Sequence, residues 1–443
     1  GSITNSGEIT TLNVTGNVDN GITNNSNIAN LTIDKGVILG TNGITNNAAI
    51  GNFTNKANIT YSGSGSITGN FINTNDSTIT LNDDLILNGN GNAFRNDGTL
   101  KGTISNIGAL SSFTNTGSIT GLESGNITEL LSNRDTGIID NLVVNGNVSQ
   151  MQNAGNIADA IIKSEITNGI INGDSNYKQA TIGKLDIQAS LGSNGLQNAG
   201  TITSLINNFS NTKLNNDGNI GSLDIQKNLN YSGNGSITNS INIASNTTLT
   251  TNGITLNANN GSVNNEGILA GALTLKGSSN SVTNSGSITT IINNADNSSL
   301  TNNSNIGALE VNKNLNYSGS GSITNYAIIA ENTTLNNSTA LIFASNNQGL
   351  ENKGIITGLL ENKGNMQLLS NSGTTSQING NITNSGLITN LANQGTISGD
   401  ITNKTGSTIT NFANSGTITG NLYNDGHIDT LHNKGTMGTI YNT

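Results

Sequence analysis

The chain has 443 residues, with 56 Gly, no Pro, no Cys, no Trp and a formal net charge of −10. Only 9% of residues are charged and 3% aromatic, and roughly a fifth are Asn; this excludes an ordinary globular core of this length, a disulfide scaffold, a thiolate zinc site and an electrostatic nucleic-acid binder. Disordered chains are usually charged and rich in Pro. This one is neither, and its apolar residues are mainly Ile and Leu, so extended hydrogen-bonded structure is expected.

A short unit recurs along the chain: an apolar residue, any residue, Asn, any residue, Gly, any residue, then a second apolar residue. From the N-terminus, the stretch from Thr4 (TNSGEITTL) matches the one from Thr283 (TNSGSITTI), and TNNSNI occurs at both Thr23 and Thr301. The segment from Ile59 (ITYSGSGSIT) is close to that from Leu315 (LNYSGSGSIT). Residues 133–193 carry most departures, including Asp135, Asp140, Lys163, Glu165, Asp174 and Lys178, and are expected to hold loops inserted between turns. Leu196–Gly233 then matches Val282–Gly319 at an offset of 86, with about 21 of 38 positions identical and no gap. The unit is plainest near the C-terminus. It runs from Ile382-x-Asn384-x-Gly386-x-Ile388 through Leu391, Phe412 and Leu422 to Leu431-x-Asn433-x-Gly435-x-Met437.

The period of about 9–11 residues makes two units one rung of about 19–22, within the range of solenoid repeats. The first apolar residue and the Asn are two apart, so on a strand they face the same side. The apolar residue is expected inward. The Asn is expected at an inward corner, its amide bonding to the Asn of the rungs above and below. The Gly is expected to supply the positive backbone φ of a tight corner. No stretch keeps helical spacing and no Pro interrupts a ladder. The reading is an all-β parallel β-helix, a β-solenoid of about 21 rungs. Residues 1–443 form a single elongated rod about 100 Å long at the usual strand spacing. The repeat reaches both ends with no polar cap, and no charged leader precedes an apolar run. A fragment of a longer protein, without a signal peptide, is therefore expected.

Candidate sites are few. His427 and His432, the two histidines, lie near Asp425 and Asp429, but at positions expected to face solvent, so surface substitution is favoured over a metal site. Asp83–Asp84 is the one adjacent acidic pair, and Arg95 and Arg134 are far apart in sequence. No recurrent acidic face suits glycoside chemistry, and no enzyme is expected. The Gly-rich turns lack the aspartates of calcium nonapeptide repeats and the Lys-Ser/Thr of phosphate loops. No catalytic, metal or cofactor site is therefore assigned. Phe53, Phe113 and Phe412 stand at first apolar positions and are expected in the core. Tyr61, Tyr231 and Tyr317 recur before an S-G-x-G turn and are expected to pack a corner.

An Asn/Gly/Ser/Thr-rich chain of N-x-G-x-I repeats without Cys resembles the passenger domains of type V autotransporters. The nearest are the adhesin and vacuolating-cytotoxin-like β-helical passengers of the Helicobacter and Campylobacter type. The resemblance implies a secreted or bacterial cell-surface protein, anchored in the outer membrane when full-length. It carries over no toxin motif. Rows of Asn, Thr and Ser suit an adhesin or self-association factor whose partners are a host receptor or glycan, or neighbouring rods. A stalk, surface-layer or filament scaffold and a toxin-like passenger are the alternatives. Neither nucleic acid nor membrane insertion is expected of this segment.

Overall fold

A computed structural model describes residues 1–443 and contains 53 β-strands and no helix. The chain is a parallel β-solenoid of about 23 turns. It divides into two compact units, one of residues 1–221 with 233–235, the other of 222–232 with 236–443.

In the first unit the turn is three-sided. Thr78–Leu81, Leu85–Leu87 and Ala93–Asn96 form one turn, a strand per side. In the next turn Thr99–Asn106 covers two sides at once. It pairs in parallel with Thr78–Leu81 at Leu100 and with Leu85–Leu87 at Ile104, and its register breaks at the corner between Leu100 and Thr103. Ala109–Asn115 lies on the third side against Ala93–Asn96.

Register stacks like on like. Ile119, Ile139, Ile157, Ile182 and Ile202 form one inward column. Leu12, Leu31, Phe53, Phe71, Phe94, Phe113, Leu131, Met151 and Ile170 lie in another. Each side chain meets its own kind above and below, and burial of each contributes about 1.5–3 kcal/mol. The Phe71–Phe94 and Phe94–Phe113 rings stack at centroid separations of 4.7 and 4.3 Å. The column is written in the sequence as Phe-x-Asn at residues 53, 71, 94 and 113.

Two residues beyond this column runs a buried amide ladder. From Asn55 through Asn73, Asn96, Asn115, Asn133, Asn153, Asn172 and Asn198 to Asn216, each Nδ2 donates to the next Oδ1 at 2.7–2.9 Å. The steps span 18–26 residues, wider than the expected 19–22, the longest being Asn172 to Asn198. The fixed quantity is the corner; loop length between corners varies because loops lie outside the ladder.

The second unit has the same build. Leu269, Ile288, Ile306 and Ile323 stack on one side, and Leu273, Ile291, Leu309 and Ala327 on another. Towards the C-terminus two ladders run together, Asn352–Asn371–Asn393–Asn414–Asn433 and Asn362–Asn384–Asn403–Asn424–Asn442. Asn384 shows the full bonding of one member. Its Oδ1 accepts from Asn362 Nδ2 at 2.8 Å and from the Gly386 amide at 3.3 Å. Its Nδ2 donates to Asn403 Oδ1 at 2.8 Å and to the Gly386 and Thr408 carbonyls at 3.1 Å.

The glycine of the unit has a different role from the one expected. None of Gly386, Gly395, Gly416, Gly426 and Gly435 has a positive φ, whereas positive φ falls on glycines elsewhere, such as Gly36 and Gly406. What excludes a side chain is the preceding turn. A Cβ on Gly386 would be driven into the Gly364 carbonyl oxygen, and one on Gly416 into that of Gly395. Successive corners stack backbone on backbone, and only Gly leaves the room.

Candidate functional site

The inward-facing residues are committed to packing and ladders. Phe53, Phe113 and Phe412 are fully buried, as expected. So are Tyr61 and Tyr317, and Tyr231 is buried too. Their turns enter two residues out of step, so Tyr61 stacks on Ile44 and Tyr317 on Leu300, in the apolar column. The phenol oxygen then accepts from the last amide of a ladder: Asn46 Nδ2 to Tyr61 at 2.9 Å, and Asn302 Nδ2 to Tyr317 at 3.2 Å. The tyrosine is a ladder terminator. Burial pushes the Tyr61 phenol up to about 12, opposed by the Asn46 hydrogen bond, and raises that of Tyr317 in the same way.

The other singled-out residues lie outside. His427 Nε2 pairs with Asp429 Oδ1 at 2.7 Å on the surface, and His432 is exposed on the same strand, His427–Asn433. Asp83 Oδ2 accepts the Gly63 amide at 2.9 Å, closing the turn after Tyr61. Arg95 Nε is bound to Asp97 Oδ2 at 2.7 Å, and Asp97 Oδ1 accepts the Thr116 hydroxyl. No three His, Asp or Glu side chains cluster as metal ligands would.

What the outer surface offers is rows of uncharged polar groups in register. Thr4, Thr23, Thr45 and Ser62 form one column, with Thr45 and Ser62 hydroxyls 3.2 Å apart. Asn52 Nδ2 reaches Asn30 Oδ1 at 2.8 Å, and Asn47 Nδ2 reaches Asn25 Oδ1 at 2.9 Å. In the second unit Thr383 and Thr402 lead into Tyr423 and Tyr441, whose exposed rings stack at 5.0 Å.

Several concavities interrupt this surface, and one of them is walled by a loop that leaves the coil. On the outer side of the third face in the first unit, Ser132, Gln152, Ile171, Gln197 and Asn215 form a column. Residues 173–180, within the irregular region read from the sequence, leave the coil beside it and raise a wall bearing Tyr177. The groove between has a volume of about 550 Å³, within the size range of ligand sites. Arg134, Asp135, Asp174 and Asp217 stand around it. Asp174 Oδ1 accepts the backbone amides of Asn176 and Tyr177 at 2.7 and 3.0 Å, which sets the wall. Gly173, at φ 71°, lets the loop depart: a Cβ there would meet the Tyr177 carbonyl oxygen at 2.7 Å and the Gly200 nitrogen at 3.0 Å. The sequence flagged the departure but not the groove, because its floor unites residues 18–26 apart in successive turns.

No family model, curated protein or solved structure matches the chain.

Proposed function

We propose that the chain is an extracellular binding passenger of the autotransporter kind, secreted or held at a bacterial surface. It acts there as an adhesin or self-association factor. The observation that carries this reading is the outer surface: in-register columns of threonine hydroxyls and asparagine amides, such as Thr4–Thr23–Thr45–Ser62. Each hydroxyl or amide exchanges water for a partner at little net gain, about 0.5–1.5 kcal/mol per hydrogen bond. Repetition turns weak contacts into avidity once the first has formed. The net charge of −10 is spread thinly over 443 residues, so repulsion between two like copies is modest and screened by salt. A coil without cysteine, held by hydrogen bonds and apolar columns, also suits export of an unfolded chain. The test is to couple the 443-residue chain to beads and measure clumping and adherence to epithelial cells. Clumping or adherence that rises with surface density is expected. A chain that is monomeric at all concentrations in sedimentation velocity, and whose beads neither clump nor adhere, would overturn the reading.

A further inference from the structure

We propose that the groove walled by Tyr177 is a binding site for a neutral oligosaccharide. This deepens the adhesive reading by naming a ligand class and a place, and rests on that reading for the expectation that the chain meets glycans.

The groove's floor is the face of a parallel sheet, not its edge. Its backbone donors and acceptors are consumed by pairing from turn to turn, as between Ile171 and Gln197. An extended peptide that binds by adding a strand therefore finds nothing to pair with. Recognition must come from side chains, and those present are of three kinds. Gln152 and Gln197 are carboxamides two turns apart, each with donors and acceptors to offer a ring hydroxyl. Between them Ile171 gives an apolar patch for a ring's C–H face, and Tyr177 gives a half-exposed aromatic wall. Asp217 is fixed by Asn215 Nδ2 on Oδ2 at 3.1 Å and by the Asn234 amide on Oδ1 at 3.0 Å, and its remaining lone pairs can accept a sugar hydroxyl.

Charge narrows the class. Among the lining residues Arg134 is the one cation, against Asp135, Asp174 and Asp217; with the exposed Lys178 of the wall the balance is still negative. A polyanion such as a uronate chain or nucleic acid meets net repulsion there, while an uncharged sugar does not. Spacing also fits. Turns recur at about 4.8 Å, close to the advance of one pyranose along an extended chain, so successive turns can address successive rings.

The experiment is calorimetric titration of the whole chain with cellohexaose, maltohexaose and chitohexaose, with hexagalacturonate as the charged comparison. Saturable binding of at least one neutral hexasaccharide, and weaker binding of hexagalacturonate, are expected. Tyr177→Ala and Gln197→Ala should each weaken binding by about tenfold, the size of one lost hydrogen bond or stacking contact. Both residues face outward, so circular dichroism should be unchanged. No binding of any neutral hexasaccharide, a preference for hexagalacturonate, or wild-type affinity in both variants would overturn the proposal. Bead clumping by the wild-type chain separates the two readings. Clumping or adherence with no sugar binding leaves the adhesive function standing and removes this site; sugar binding with neither clumping nor adherence removes the function alone.

Discussion

An asparagine at a corner of this coil is not replaceable by its nearest relatives, and Asn384 shows why. Its two N–H groups are shared among three acceptors and its oxygen accepts twice, joining two neighbouring turns and its own chain two residues on. Aligned amides polarise one another along the ladder. Alanine at 384 leaves Asn362 Nδ2 and Asn403 Oδ1 each short of one partner, and an expected loss of about 1–3 kcal/mol follows in urea unfolding. Asn384→Asp keeps both accepting roles but turns a donor into an oxygen aimed at Asn403 Oδ1 and two carbonyls. Its carboxyl should be held protonated well above the unfolded value of about 3.9. The aspartate variant should thus be weaker than alanine at pH 7 and recover as pH falls, a sign opposite to that of a salt-bridged aspartate. Tyr61 gives the basic counterpart. Burial pushes its folded phenol up to about 12 from an ordinary 10. The folded state therefore holds the proton more tightly, and its contribution is complete below pH 10 and lost between 10 and 12. Loss of the β circular dichroism signal should coincide with tyrosinate absorbance in that window. Tyr61→Phe should lower stability at pH 7 by about 1 kcal/mol, the Asn46 hydrogen bond, and flatten the alkaline slope.

The strand and its corner form the next level, and there the glycine can be tested against itself. Asn5-Ser6-Gly7 and Asn384-Ser385-Gly386 are the same tripeptide. A Cβ on Gly7 meets nothing within 4 Å, while one on Gly386 runs into the Gly364 carbonyl oxygen. If glycine were needed for backbone angle, both alanine variants would suffer alike. If stacking is the cause, Gly386→Ala should cost about 1–3 kcal/mol, as overpacking does, and Gly7→Ala almost nothing, measured by thermal melts of the two variants. A ladder also has ends, and they differ. Asn46 and Asn302 finish on a tyrosine phenol. Asn265 begins one: it stacks on Ile243, so its buried Oδ1 has no donor. A hydrophobic residue beneath the first amide costs a hydrogen bond, and the column gains in its place the burial of Ile243.

Over the whole chain, what could be read beforehand was what repeats locally. The inward apolar residue, the amide ladder and the buried phenylalanines each follow from a spacing of two within one strand, whereas the tyrosines expected at a corner stand two residues out of step, in the apolar column. What could not be read depends on the turn beneath. The steric role of Gly386 lies in Gly364, 22 residues back, and the groove depends on Ser132, Gln152, Ile171 and Gln197 falling into one column. Because turn length varies, no fixed period reveals which residues meet; the Phe-x-Asn series could have announced its stack, since all four copies carry the ladder Asn. The same dependence on neighbours governs stability. Charge contributes little, since ion pairs such as Lys56–Asp34 and Lys353–Glu351 are exposed. Each turn is held by the ones it touches, so stability is a sum of turn and interface terms. A defect should therefore spread along the coil only as far as adjacent turns can be opened together. In Asn384→Ala, amide hydrogen exchange should quicken in the flanking strands Leu360–Asn362 and Ile401–Asn403, which pair directly with Ile382–Asn384. Exchange at Phe94–Asn96 and Phe113–Asn115 should stay as in wild type. A uniform rise across the chain would mean that it opens as one cooperative body, and that the nearest-neighbour description of its stability is wrong.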